Sequence, residues 1–196
     1  MNTLIGITGG IGSGKSVVTR YLRNRGETVL CADEISRQVT EPGEPGAAAI
    51  MKAYGNAYFL PNGMIDRKKL SDFVFGNAER IAQLNRLLHP IIIKCIFDQA
   101  ANCSYRVFID AALMIQAGMH KKIDYLWLVV SDIETRIQRV MQRDKTPREK
   151  VIQRINSQMS DEEMSAFADE IIDNNGTLAD LYKTLDELLK KPEYLR

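Results

Sequence analysis

The sequence predicts an α/β protein built on a doubly wound, five-stranded parallel sheet, and three observations predict it. Five short, mostly apolar segments punctuate the chain: Thr3–Thr8, Thr28–Cys31, Tyr105–Asp110, Tyr125–Val130 and Glu170–Asp173. Runs of that length and character suit parallel strands covered on both faces. Apolar residues at helical spacing fill most of the gaps between them, the alternation of a doubly wound sheet. The first strand-to-helix junction reads Gly9-Gly10-Ile11-Gly12-Ser13-Gly14-Lys15-Ser16, a complete G-x-x-x-x-G-K-S phosphate-binding loop.

Taken in order, Thr3–Thr8 opens as a β-rich run, and Val17, Val18, Tyr21 and Leu22 recur at helical spacing after the loop. A glycine-rich turn can match the motif by chance, but the strand before it and the helix after it argue for a phosphate site. Gly10, Gly12 and Gly14 let the backbone approach the phosphates. With Ile11 and Ser13 they turn successive N–H groups inward, and the helix N-terminus favours an anion. Lys15 reaches the β- and γ-phosphates, and the Ser16 hydroxyl ligates Mg²⁺. The ligand class is a nucleoside triphosphate with magnesium.

The second strand runs into Cys31-Ala32-Asp33. Asp33 either accepts the proton of an attacking hydroxyl or caps a helix beginning near Glu34; spacing leaves both open. From about Pro42 to Ala101 the alternation stops. This stretch holds the loop Glu41-Pro42-Gly43-Glu44-Pro45-Gly46, an Asn62-Gly63 turn and several helical patterns. It reads as a helical substrate-binding insertion. His89-Pro90 falls between two of those patterns, with Pro90 suited to a first helical position and His89 to ending the loop before it.

Beyond the fourth strand, Arg136, Arg139 and Arg143 lie at helical spacings of three and four and share one face. Thr146-Pro147 breaks the pattern before Arg148 and Arg154, so 136–160 reads as a helix–turn–helix lid. Arginines closing over a nucleotide stabilise transition-state charge and exclude water. At least one of Arg139 and Arg143 is expected in the site, while one or two of the run belong to a solvated face. Trp127 reads as sheet interior and His120 as surface. Asn174-Asn175-Gly176 follows the last strand as either a plain turn or a base-binding loop. Asp33, Asp110 and Asn174 all fall just past strand ends, where open α/β sheets gather their ligands. The expected organisation is one domain, 1–196. Its nucleotide-binding core spans about 1–41, 102–135 and 168–196, the insertion about 42–101 and the lid about 136–160.

With 45% hydrophobic and 26% charged residues the composition is that of an ordinary globular protein, and the net charge of +1 argues against a general nucleic-acid binder. The charge is unevenly spread. Arg136 to Arg154 carries seven Lys or Arg against two acids, and Ser160 onward carries ten acids against four bases. A basic cluster in a neutral chain suits a small polyanion. Cys31, Cys95 and Cys103 form no C-x-x-C pair, which favours a reducing, cytoplasmic setting. No signal-peptide pattern, membrane-length apolar run or zinc-spaced Cys/His cluster is seen. A monomer or weak homo-oligomer is expected, with no nucleic-acid or membrane partner.

With these pieces placed, the chain resembles the dephospho-coenzyme A kinases, a P-loop kinase family, through nearly its whole length. The resemblance rests on Thr8-Gly9-Gly10-Ile11-Gly12-Ser13-Gly14-Lys15-Ser16, on Ala32-Asp33 with Arg37, and on Glu41-Pro42-Gly43. It continues through Asp66-Arg67 with Leu70 and Phe75, then Leu88-His89-Pro90. Arg139 with Arg143-Asp144, Gln158, and Asp173-Asn174-Asn175-Gly176 complete it. It implies transfer of the ATP γ-phosphate to the 3′-hydroxyl of dephospho-CoA. Lys15 and the loop would hold the phosphates, Ser16 the Mg²⁺, and Asp33 would activate the hydroxyl. Arg139 and Arg143 would clamp from the lid, Arg37 and His89 would meet the acceptor, and Asn174-Asn175-Gly176 would lie near adenine. Two positions depart from the family pattern. Cys31 replaces the first acid of an Asp-x-Asp, and Ala112-Leu113-Met114-Ile115-Gln116 lacks the usual proline and closing acid. The rival readings are a kinase for another nucleotide or alcohol, and a nucleotide-binding regulator without transfer. A GTPase is disfavoured because the chain contains no Asn-Lys-x-Asp.

Overall fold

The structure, a computed structural model, describes residues 2–194. In chain order it begins β1 (Leu4–Thr8), α1 (Lys15–Asn24), β2 (Thr28–Cys31), α2 (Ala32–Gln38), α3 (Pro45–Tyr54), α4 (Arg67–Val74) and α5 (Ala78–Ala101). It continues β3 (Val107–Asp110), β4 (Tyr125–Val130), α6 (Ile133–Asp144), α7 (Arg148–Asn156), α8 (Asp161–Ser165), β5 (Glu170–Asp173) and α9 (Leu178–Leu188). The five strands form one parallel sheet in the order β2-β3-β1-β4-β5. Ile5 pairs with Phe108 on one side and Tyr125 on the other. The strand order reverses at β1, so the loop leaving its carboxyl end opens into the crevice where such sheets take their ligands.

All five expected strands are present. The third is shorter than its sequence run because Tyr105 has φ 65°, a left-handed conformation that ends an extended segment before Val107. Ile5, Ile7, Phe108, Trp127, Val129 and Ile172 from the strands pack with Val18 and Leu22 of α1 and Leu181 and Leu185 of α9. Trp127 lies at the centre of this core, its ring 5.3 Å from Phe108 and 5.5 Å from Tyr194. No described helix is long and apolar enough to cross a membrane.

The chain divides into two units. One comprises the residues up to Leu30 and those from Asn102 onward; the other is Cys31–Ala101. The second begins at Cys31 and not near Pro42, so α2 belongs to it. Its helices enclose Ala47, Ile50, Ile65 and Leu70, and its one described strand-like pairing is an antiparallel bridge from Phe59 to Ile65 across the Asn62-Gly63 turn.

One expectation fails here. His89-Pro90 is not a break between helices: α5 runs unbroken for 24 residues with Pro90 inside it. A proline there removes one hydrogen bond and presses its ring on the carbonyl four residues back, a cost of about 3 kcal/mol. Burial on both sides outweighs that cost. Leu84, Leu87 and Leu88 pack on the core of this unit before the proline, and Ile96 and Ala100 are buried after it. Pro90→Ala restores the missing donor. It is expected to raise the stability by about 2 kcal/mol, less than the full cost because the unfolded chain also gains freedom when proline is lost, read as a thermal midpoint higher by several degrees.

Candidate active site

The loop between β1 and α1 is held by residues far away in sequence. Gly14, the cap residue of α1, sits at φ 98° and ψ 14°, where any residue with a Cβ is strained. A Cβ there would also run into the Asn174 amide. That amide is buried and donates to Ser13 O at 2.8 Å. Asn175 Oδ1 accepts from Ser131 Oγ at 2.9 Å and from Asp132 N at 2.8 Å. The segment after β5 therefore braces both the phosphate loop and the entry to α6.

Three cations stand at the loop. The Lys15 ammonium is ion-paired with Asp110 at the end of β3, with side-chain exposures of 18% and 9%. The pairing of Ile7 with Asp110 explains the meeting, because parallel register puts the last residue of β3 beside the strand that feeds the loop. Arg139 on α6 donates to Asn174 O at 3.0 Å, to Ser131 Oγ at 3.3 Å and to Ser13 O at 3.4 Å. Arg136, one turn earlier, is buried and donates to Ile11 O at 2.9 Å. Gly10, Ile11, Gly12, Ser13, Gly14 and Lys15 thus form a preshaped concave loop with positive charge at its rim. Ser16 follows as an exposed hydroxyl in the first turn of α1.

Arg143 is not brought to this cluster. Its side chain is 61% exposed and grips the carboxylate of Asp144 through 2.7 and 3.1 Å bonds. That grip, joined by Arg154 at 3.2 Å, holds the Asp144 carboxyl below its usual range.

In the second unit, Asp33 is the second residue of α2. The cap position is Cys31 (φ −100°, ψ 120°), so the alternative of Asp33 as a helix cap does not hold. Asp33 and Arg37 are both exposed, four residues apart and hence on one helix face. The end of α2 is fixed by Thr40, whose hydroxyl donates to Ser36 O at 2.8 Å and accepts from Arg67 at 2.9 Å. His89 is half-buried on α5, and burial pushes its imidazole below the ordinary value. That shift favours the neutral imidazole, which has one donor and one acceptor.

A phosphate loop preset against a Lys–Asp pair, with an arginine arriving from the helix after β4, can hold a polyphosphate and stabilise charge that develops on it. The sequence profile of dephospho-CoA kinases matches residues 3–180. The chain belongs to the dephospho-CoA kinase family. Dephospho-CoA kinase from Fusobacterium nucleatum is 39% identical over 93% of this chain and 95% of its own length. The enzyme of that name from Shouchella clausii is 37% identical over 95% and 97%. A crystal structure from Thermus thermophilus superposes with a TM-score of 0.82 at 31% identity, covering 96% of each chain. The family phosphorylates dephospho-CoA to make coenzyme A, the last step of coenzyme A biosynthesis.

The loop, Lys15, Arg139 and Asn174 are legible in the sequence. Asp110 stands there only as a group past a strand end, Arg136 is open between site and solvent, and Gln158 is only a family mark. Asp110 was reachable, because an acid ending a strand next to β1 has few places to go except the loop lysine. Arg136 was not, since its partners come from three separate segments. The Lys15–Asp110 pair sets a testable stability. Lys15→Met leaves a buried carboxylate unpaired and is expected to cost about 3 kcal/mol in urea unfolding. The double variant Lys15→Met/Asp110→Leu is expected to recover most of it.

Proposed function

We propose that this chain transfers the γ-phosphate of ATP to the ribose 3′-hydroxyl of dephospho-CoA, giving ADP and coenzyme A, by direct in-line displacement. The observation that carries the reading is the convergence of Lys15, Asp110 and Arg139 on a loop preset by Asn174, together with family membership. The loop amides and Lys15 hold the phosphates, and Asp110 orients the lysine beside them. Arg139 adds a second cation where charge builds up as the bond to the leaving phosphate oxygen lengthens. Asp33 accepts the proton of the 3′-hydroxyl as the new O–P bond forms.

The neutral His89 and the Arg37 guanidinium hold the acceptor. The backbone of Asn174-Asn175-Gly176 flanks the adenine, since both asparagine side chains already engage neighbouring segments. Arg143, paired with Asp144, contributes to the basic field of the lid and closes the outer edge of the site. Mg²⁺ bound with a nucleotide takes one or two protein oxygens and the phosphates. The Ser16 hydroxyl is a hard donor of that kind, and the metal would neutralise the β- and γ-oxygens. The unit formed by the residues up to Leu30 and those from Asn102 onward acts as the nucleotide core, with 136–160 as its lid, and Cys31–Ala101 acts as the acceptor-binding part. The setting is cytoplasmic, the working form a monomer or weak homo-oligomer, and no nucleic acid or membrane takes part.

The deciding assay is ATP- and Mg²⁺-dependent phosphorylation of dephospho-CoA. Asp33→Asn is expected to lower kcat by about 10²-fold or more with little change in KM; full turnover in the variant removes Asp33 from the proton path. Transfer to a nucleoside monophosphate with none to dephospho-CoA overturns the acceptor. Cys31 carries a soft sulfur where the family usually has a hard oxygen. With Lys15, Ser16 and Asp33 retained, Cys31→Asp is expected to leave the Mg²⁺ dependence of turnover nearly unchanged, and a large gain means that metal binding is compromised in this chain.

A further inference from the structure

Ile11 is gripped by both of its backbone groups. Its N–H donates to Gln158 Oε1 at 2.8 Å, and its carbonyl accepts from Arg136 Nε at 2.9 Å. The other end of the Arg136 guanidinium is fixed as well, with Nη1 at 3.1 Å from each oxygen of Asp161, the first residue of α8. The Ile11 side chain packs against Ile137, Val140, Val151 and Ile155 of α6 and α7.

The loop is moulded to this arginine. A Cβ at Gly10 would overlap the Arg136 guanidinium, and one at Gly12 would lie 2.6 Å from Arg136 O and 3.0 Å from its Cα. Of the four glycines in the motif, Gly12 is closed to a Cβ by the backbone of Arg136, and Gly10 by its guanidinium where that is pinned. The Arg136 side chain is only 7% exposed, and a desolvated guanidinium is costly unless paired and hydrogen-bonded. Here the fork is used on a carboxylate at one end and a main-chain carbonyl at the other, a geometry an ammonium cannot reproduce.

We propose that Arg136, oriented by Asp161 and assisted by Gln158, is a positioning residue for nucleotide binding. It sets the plane of the Ile11 peptide, and through it the direction of the following loop N–H groups, without touching the nucleotide. Because Arg139 follows one turn along α6, the same anchor keeps that cation in register with the loop. This rests on the phosphate-binding reading of the loop given above.

The test is isothermal titration of ATP and of a non-hydrolysable ATP analogue into wild type, Arg136→Met, Arg136→Lys, Asp161→Asn and Gln158→Leu. Steady-state kinetics and thermal midpoints are measured beside it. Arg136→Met and Arg136→Lys are expected to weaken nucleotide affinity about tenfold or more, with KM for dephospho-CoA held within about twofold. Arg136→Lys keeps a cation beside Asp161 and is expected to recover thermal stability but not affinity. A lowered midpoint with unchanged affinity makes Arg136 purely structural and overturns the proposal. So does a parallel rise in KM for both substrates. Should Arg136→Met fail to fold, unchanged affinity in both Asp161→Asn and Gln158→Leu overturns it equally, and a severalfold loss in both supports it. A wild type that binds neither nucleotide overturns the phosphate-loop reading and the bracket together, whereas wild-type binding with unaffected variants removes the bracket alone.

Discussion

A glycine-rich loop has no shape of its own, and this protein depends on giving it one from outside. Glycine loses more conformational freedom on folding than any other residue. The segment from Gly9 to Gly14 therefore folds only if other parts of the chain hold it. The holders come from the far half of the sequence: Asn174 on Ser13 O, Arg136 on Ile11 O, and Gln158 on Ile11 N. These bonds occupy two loop carbonyls and the Ile11 N–H. The strand order serves the same end, since β1 has β3 on one flank and β4 on the other. The braces and counter-charges reach the loop from those two flanks.

The second constraint is electrostatic. Lys15, Arg136 and Arg139 crowd one loop, and like charges at such range repel. Asp110 and Asp161 offset two of the three with direct ion pairs. Arg139 is satisfied by neutral oxygens alone among its described partners. That leaves a net positive rim beside a dipole-positive helix start, which is what a triphosphate requires. Asp144 gives Arg143 and Arg154 the same kind of relief at the other end of α6. One helix thus carries three arginines with different duties. Arg136 is buried as a brace, Arg139 stands at the loop, and Arg143 is paired toward solvent.

The second unit is built with different means. Its core is small, and its longest helix tolerates Pro90 because Leu84, Leu87 and Leu88 pack on that core before it and Ile96 and Ala100 are buried after it. The exposed pair Asp33 and Arg37 sits on a helix whose far end is tied by Thr40 and Arg67. A short helix of this kind has little stability alone. The tie keeps it formed, so the two side chains are presented on a fixed surface.

The sequence by itself determined the sheet, its five strands, the phosphate loop and the family, because these rest on local signals. Alternation of apolar runs, glycine spacing and Lys15-Ser16 are each legible within a dozen residues. It also marked Arg139 on the helix after β4 and the Asn174-Asn175-Gly176 turn after β5. The tertiary structure decided which arginine does what, that Asn174 braces the loop, that Asp110 holds Lys15, and that α5 continues through Pro90. The reason is common to all four. Each outcome turns on a balance of burial, pairing and hydrogen bonding between segments up to 161 residues apart. Local propensity, which is what a sequence window reports, is a weak term in that balance.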